Sequence, residues 1–196
     1  MWVEMFPPLI GFASKKAAQL SAHFLSLQPD MEKLKLIKLV YLSEREFLRL
    51  HGHPMIYDEY YSLKDGPICS SALNGMNGGL DQEYWSTFFV LDDNRRNFHL
   101  KRKISRDDLD ELSAADLEVA DSVWDKFSAF TAGQIRKWTH DNCPEYKEVP
   151  SGRLPISCRD VMEATGQGDC QHDLPPILGP LISRLCSSSV CHYSAA

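Results

Sequence analysis

Around position 140 the chain reads Thr139-His140-Asp141 and then Cys143, which brings an imidazole, a carboxylate and a thiol close together in sequence. A thiol beside an imidazole is the raw material of a nucleophile and its general base. Sequence neighbours meet at catalytic angles only where the fold sets them, and the polar end of a helix accounts for the same letters. Other reactive combinations are weaker. His51-Gly52-His53 is the nearest approach to a metal-ligand pair, yet no acid or cysteine cluster nearby completes a coordination sphere, and it reads as a helix-end turn. The six cysteines (Cys69, Cys143, Cys158, Cys170, Cys186 and Cys191) form no C-x-x-C pair and read as reduced thiols. No G-x-S-x-G elbow, Gly-Lys-Ser/Thr phosphate loop or H-E-x-x-H helix is present. Gly75, Gly78 and Gly79 around Asn77 lack the preceding strand that a phosphate cradle needs, and read as a loop. No catalytic residue, metal or cofactor is expected.

The basic letters are concentrated. Arg95, Arg96, Lys101, Arg102, Lys103 and Arg106 follow one another with no acid between them. On a hairpin projecting from a helical body they would form the wing of a winged-helix DNA binder, meeting phosphates. The flanks Asp92-Asp93 and Asp107-Asp108-Asp110-Glu111 blunt that field, and no helix carries a convincing set of base-reading side chains. The other reading is a solvated hairpin edge whose charges block sheet-to-sheet association.

These residues need a scaffold, and the 196-residue length supplies one domain with a small appendage. Hydrophobic residues are 43% and charged residues 24%, an ordinary globular mix. The net charge of −6 argues against a protein that coats nucleic acid over its whole surface. Ala17, Leu20, Phe24 and Leu27 recur at three- and four-residue steps, predicting a helix over 14–27. Pro29-Asp30 interrupts it, with Asp30 as the expected N-cap of a helix over 31–50. Apolar residues cover more than one stripe there, so this helix is expected at the centre, closed by Gly52. The stretch 53–64 reads as extended, with Tyr57, Tyr60 and Tyr61 lying on the core. Asp65-Gly66-Pro67 reads as a turn in which Asp65 caps a short helix and Pro67 occupies its first turn. A β-hairpin is expected from 84–90 and 98–104 around the polar letters of 92–97. Ser113 with Asp116 is a capping box for a third long helix, Thr131 caps a helix over 132–140, and Ser157 caps a last one ending at Gly166. The expected core is Leu34, Ile37, Val40, Tyr41, Trp124, Phe127 and Trp138. The expected fold class is mainly α (α+β): a compact helical domain with a small β-hairpin.

Residues 166–196 change character: prolines and serines dominate, charge thins out and neither period is visible. The expected division is a domain over 1–165 and a flexible C-terminal tail over 166–196, with a partner-docking segment as its other reading. The first residues carry Glu4 and Pro7-Pro8 where a signal peptide wants bases and an apolar run, and no stretch has the length of a membrane span. A soluble cytoplasmic protein with no membrane contact is expected.

Leu34-Lys35-Leu36-Ile37-Lys38-Leu39-Val40-Tyr41-Leu42, then Gly52-His53-Pro54-Met55, then Tyr61 and Asp65-Gly66-Pro67-Ile68 resemble the Panacea domain, the SocA-like antitoxin family of phage-associated proteins. A second block agrees: Leu112-Ser113, Trp124, Phe127 and Thr131-Ala132, then Thr139-His140 and Pro144. The resemblance covers roughly residues 14–165. The motif positions it marks are Lys38, Tyr41, Gly52, Gly66, Pro67, Thr139 and His140, some of them serving fold geometry rather than contact. One departure stands out: the family commonly shows Pro-Trp after the Thr-His helix, and this chain has Pro144-Glu145-Tyr146.

The resemblance implies a non-enzymatic antitoxin encoded beside a toxin, which it neutralises by direct protein–protein binding, in some cases as an adaptor delivering the toxin to a protease such as ClpXP. The expected partner is therefore a cognate toxin, with duplex DNA as the partner under the alternative winged-helix reading. The expected contact residues are Asp65, Gly66 and Pro67 in the turn, with Arg95, Arg96, Lys101, Arg102 and Lys103 on the hairpin, because exposed turns on a rigid scaffold commonly carry binding.

Overall fold

In the computed structural model, which describes residues 11–167, Ala17, Leu20 and Phe24 lie on the buried face of α1 (Ser14–Leu27). Asp30 does not cap the next helix as expected. It opens a short strand, β1 (Asp30–Glu32), and α2 (Lys33–His51) follows with no side-chain cap. The Lys33 N–H donates instead to the Arg96 carbonyl at 2.8 Å, so distant backbone satisfies an orphan donor at the start of α2. Leu36, Leu39, Val40 and Tyr41 of α2 are fully buried. Gly52 ends the helix at φ +71°, with its N–H on the Leu48 carbonyl at 2.9 Å.

Beyond α2 the chain forms a hairpin, β2 (Tyr60–Leu63) and β3 (Gly66–Cys69), so the expected helix at Pro67 is a strand. The short helix α3 (Ser70–Met76) begins only after it. Asp58, not Asp65, supplies its cap: the buried Asp58 carboxylate accepts the N–H groups of Ser71 at 2.8 Å and Ala72 at 2.7 Å. Gly75 of α3 lies against the Trp85 ring, where a Cβ would stand 2.4 Å from the indole, so packing explains this glycine. Tyr84 and Trp85 belong to a single helical turn, α4 (Gln82–Trp85), rather than to a strand. The expected hairpin exists but is shorter, with β4 (Phe89–Leu91) and β5 (Asn97–Leu100). Its inner face carries Phe89 opposite Leu100 and Leu91 opposite Phe98, and Phe98 is in turn in register with Met31 of β1.

α5 (Ala114–Phe127), α6 (Ala132–Asn142) and α7 (Cys158–Ala164) start at Ser113, Thr131 and Ser157, each within a full capping box. A sixth strand, β6 (Leu154–Ile156), pairs with β2. Two antiparallel three-stranded sheets result, ordered β1-β5-β4 and β3-β2-β6. α2 packs against α1, α5, α6 and α7 and against β1 and β3, which makes it the axle of a mainly α (α+β) fold. Ile37, Val40, Tyr41 and Phe127 are core as expected, whereas Leu34, Trp124 and Trp138 are half-buried. The two tryptophans sit at the rim under cations: Lys35 Nζ lies 5.2 Å from the Trp124 ring and Lys126 Nζ 4.6 Å from that of Trp138.

No helix among the described residues is long and apolar enough to cross a membrane. The expectations for the first ten residues and for the tail lie outside the described residues, apart from Gly166 and Gln167.

Phe98 is wholly buried between the sheet of β1, β4 and β5 and α1, 5.2 Å from the Phe89 ring. Phe98→Ala is expected to lower the free energy of unfolding by about 3–5 kcal/mol in urea titrations, and Thr131→Ala, which removes a cap, by about 1 kcal/mol.

Candidate functional site

Lys38 and Tyr41 stand one turn apart on α2, and the fold brings Gly66, Pro67, Thr139 and His140 to Lys38, while Gly52 closes the far end of the helix. Lys38 has no accessible surface, and its Nζ donates to the Pro67 carbonyl at 2.8 Å. Burial is the largest influence on this amine and brings it down from 10.5 to about 7, with the Asp65 carboxylate pulling the other way. Gly66 covers it at φ +96°. A Cβ there would stand 2.9 Å from Lys38 Nζ, 3.0 Å from Thr139 Oγ1 and 3.2 Å from His140 Cδ2, so only glycine closes this corner. Thr139 is buried and its hydroxyl donates to the Arg136 carbonyl at 2.8 Å.

His140 lies against Tyr146 with the two rings tilted by 46°. Its ring centroid is 4.5 Å from that of Tyr146, whose hydroxyl donates to the Leu63 carbonyl at 3.2 Å. The aromatic displaced by one place after Pro144 is therefore the ring that lies against the histidine. His140 Nε2 is buried without a hydrogen-bond partner among the described residues. Burial, then Arg136 and Lys38, shift His140 below its usual range and favour the neutral ring. Burial also pushes the Cys143 thiol up to about 12. It stands as a neutral thiol near pH 7, so the nucleophile reading of His140 and Cys143 lacks its thiolate. Among the described residues no group of three or more His, Cys, Asp or Glu side chains could hold a metal ion.

Three buried acids that the sequence reading passed over fasten this corner. Glu145 accepts from the Tyr41 hydroxyl at 2.8 Å and from Arg45 Nε at 2.6 Å. Glu44 accepts the Met55 and Ile56 N–H groups at 2.9 and 3.0 Å and the Tyr60 hydroxyl at 2.8 Å. Burial nonetheless raises Glu44 from 4.5 to about 7. Asp58 caps α3. A signal existed for Glu44: charged letters on the apolar stripe of α2, three residues beyond Tyr41.

The expected contact residues divide into two sets. Gly66 and Pro67 are buried, which corrects their reading as an exposed contact turn; only Lys64 and Asp65 face solvent there. Their burial follows from the strand pairing of β2 with β3 and from Lys38 holding the Pro67 carbonyl. Asp65 Oδ1 lies 2.9 Å from Arg136 Nε as an ion pair. Arg95, Arg96, Lys101, Arg102 and Lys103 are exposed. Lys101, Arg102 and Lys103 follow the end of β5, and Arg102 pairs with Asp108 at 2.7 Å. Arg95 and Arg96 sit elsewhere, at the tip between β4 and β5. That tip and the Lys64-Asp65-Gly66 turn face each other across a groove of about 730 Å³. Lys33 and Asn77 also line it, joined by a hydrogen bond from Lys33 Nζ to Asn77 Oδ1.

Two outcomes are expected from this geometry. Between pH 7 and 10.5 the unfolded chain carries a proton on Lys38 that the folded chain has lost, so stability climbs with pH, by about 2 kcal/mol from pH 7 to 9. Glu44 acts oppositely below that window. The folded chain keeps a proton that the unfolded carboxyl releases from 4.5 upward, so stability falls as pH rises towards 7. Urea titrations at pH 5, 7 and 9 should show both limbs, and Lys38→Met should flatten only the alkaline one. Gly66→Ala, strained in φ and in contact, is expected to cost about 2 kcal/mol or more by the same assay.

The family model described as Antitoxin SocA-like, Panacea domain matches residues 36–145, more than half of the chain and every marked motif position. No curated protein and no solved structure matches the chain.

Proposed function

The chain belongs to the Panacea family of SocA-like antitoxin domains, and we propose from that premise that it is the antitoxin of a toxin–antitoxin pair, neutralising a cognate toxin by direct protein–protein binding. The match over 36–145 carries this reading. The character of the motif residues supports it. Lys38, Gly66, Pro67 and Thr139 are spent on one another inside the protein, and Cys143 is a neutral thiol, so the marked residues build a scaffold rather than a reaction centre. The protein acts in the cytoplasm, without enzymatic activity of its own, by holding the toxin inactive or by delivering it to a protease such as ClpXP.

The test is co-expression under tight induction with the adjacent reading frame. The neighbour alone is expected to arrest growth, and this chain to restore it and to co-purify with the neighbour's product. Rescue that persists in a strain lacking the protease assigns direct blocking; rescue lost there assigns delivery. A neighbour that is harmless, or that kills regardless of this chain, overturns the antitoxin reading.

A further inference from the structure

We propose that the groove between the Lys64-Asp65-Gly66 turn and the Arg95-Arg96 tip is the surface that reads the partner, and that it seats an acidic segment of the toxin with apolar side chains set among its carboxylates. The proposal rests on the antitoxin reading and names the chemistry of the segment recognised.

Two observations point to an anionic occupant. The first is sign. The chain has a net charge of −6, yet the groove is rimmed by Lys33, Lys64, Arg95 and Arg96 against the acids Glu32 and Asp65, and Asp65 is already answered by Arg136. The side chains of Lys64, Arg95 and Arg96 are exposed and make no hydrogen bond or ion pair among the described residues. The second is crowding. Burial and then the neighbouring Arg95 depress the Lys33 amine, so the cations on this rim repel one another, and a carboxylate laid between them relieves that repulsion.

The tip is also fixed in advance. Arg95 holds φ +60°, uncommon for a residue with a side chain. Its N–H donates to the Asp92 carbonyl at 2.9 Å, the Arg96 N–H donates to Asp92 Oδ1 at 2.7 Å, and the Arg96 carbonyl takes the N–H of Lys33. A backbone held this firmly fixes where both arginine side chains leave the chain, so that only the side chains remain to be ordered on binding. The floor decides between classes of partner. Leu34, Ile37, Ile68 and Leu73 line it and, among the described residues, no aromatic does, which suits aliphatic side chains of a protein rather than a stacked base.

The experiment uses the full chain and the product of the adjacent reading frame, with Kd and association rate measured at low and high salt. The variant Lys33→Glu/Arg95→Glu/Arg96→Glu is expected to raise Kd by about thirtyfold or more, chiefly through slower association, and to abolish the salt dependence of the association rate. Arg95→Lys/Arg96→Lys, which keeps the charge, and Lys15→Glu/Arg159→Glu, exposed and outside the groove, should each stay within about threefold of wild type. All of these positions but Lys33 are exposed, and unchanged thermal melting shows that the fold is retained. A triple variant that binds as tightly as wild type overturns the groove while leaving the antitoxin reading standing. A wild-type chain that neither binds nor rescues overturns both. Loss of binding to an oligonucleotide in the triple variant, with toxin binding unchanged, assigns the groove to nucleic acid and overturns the proposal.

Discussion

Lys38 sits in the second turn of the central helix with no exposed surface, and its Nζ bonds the Pro67 carbonyl, 29 positions along the chain. Taking an amine out of water is expensive, and the fold answers by letting it approach neutrality and by giving it an acceptor. Much else follows from that bond. It sets how close β3 lies to α2, which demands a glycine at 66, which in turn lets Thr139 and His140 of α6 close over the same spot. A buried methionine at position 38 would fill similar space but would leave the Pro67 carbonyl without its donor.

Around this bond the molecule is tied together by acids rather than by apolar packing alone. Glu44 and Asp58 collect donors from a loop and from a helix start, and Glu145, itself in the segment after α6, takes Tyr41 and Arg45 of the central helix. Each is buried, so each bond forms where the local dielectric is low and losing one donor leaves a buried oxygen unsatisfied. The turn of Asp92 to Asn97 is different. It is exposed, held chiefly by its own backbone and by Asp92, and attached to the body through β1 and the Lys33 N–H. The scaffold and the proposed groove meet at Lys38 and Gly66, which line the groove from below, while its charged rim comes from other residues.

Helices were legible where the signal was local. Ser113 and Asp116, Thr131 and Gln134, and Ser157 and Asp160 lie three residues apart, and each pair closes in the structure as a capping box. Strands were legible only where both partners lay nearby, as in β4 and β5. β1 and β6 have three residues each and exist because a strand elsewhere offers them hydrogen bonds, so no period of their own announces them. The same limit misplaced the Asp65 cap: the carboxylate that does the capping, Asp58, comes from another segment. The motif positions were visible as letters, but Gly66 and Pro67 looked like an exposed turn because nothing local records the lysine beneath them. Arg95 and Arg96 were singled out by charge, whereas their position opposite Lys64 depends on the whole sheet.

The closure of Glu145 on Tyr41 and Arg45 has a consequence for how the protein is made. The carboxylate follows Tyr41 by 104 residues and Arg45 by 100. β2 likewise awaits β6 before its second edge is covered. While a ribosome is still adding the middle of the chain, the central helix has already emerged with an arginine and a tyrosine whose acceptor has not been synthesised. Closing such long loops is slow relative to forming local helices. The finished corner therefore assembles after translation has passed the last strand, and until then a chaperone would meet the nascent chain as an amphipathic helix with its sockets open.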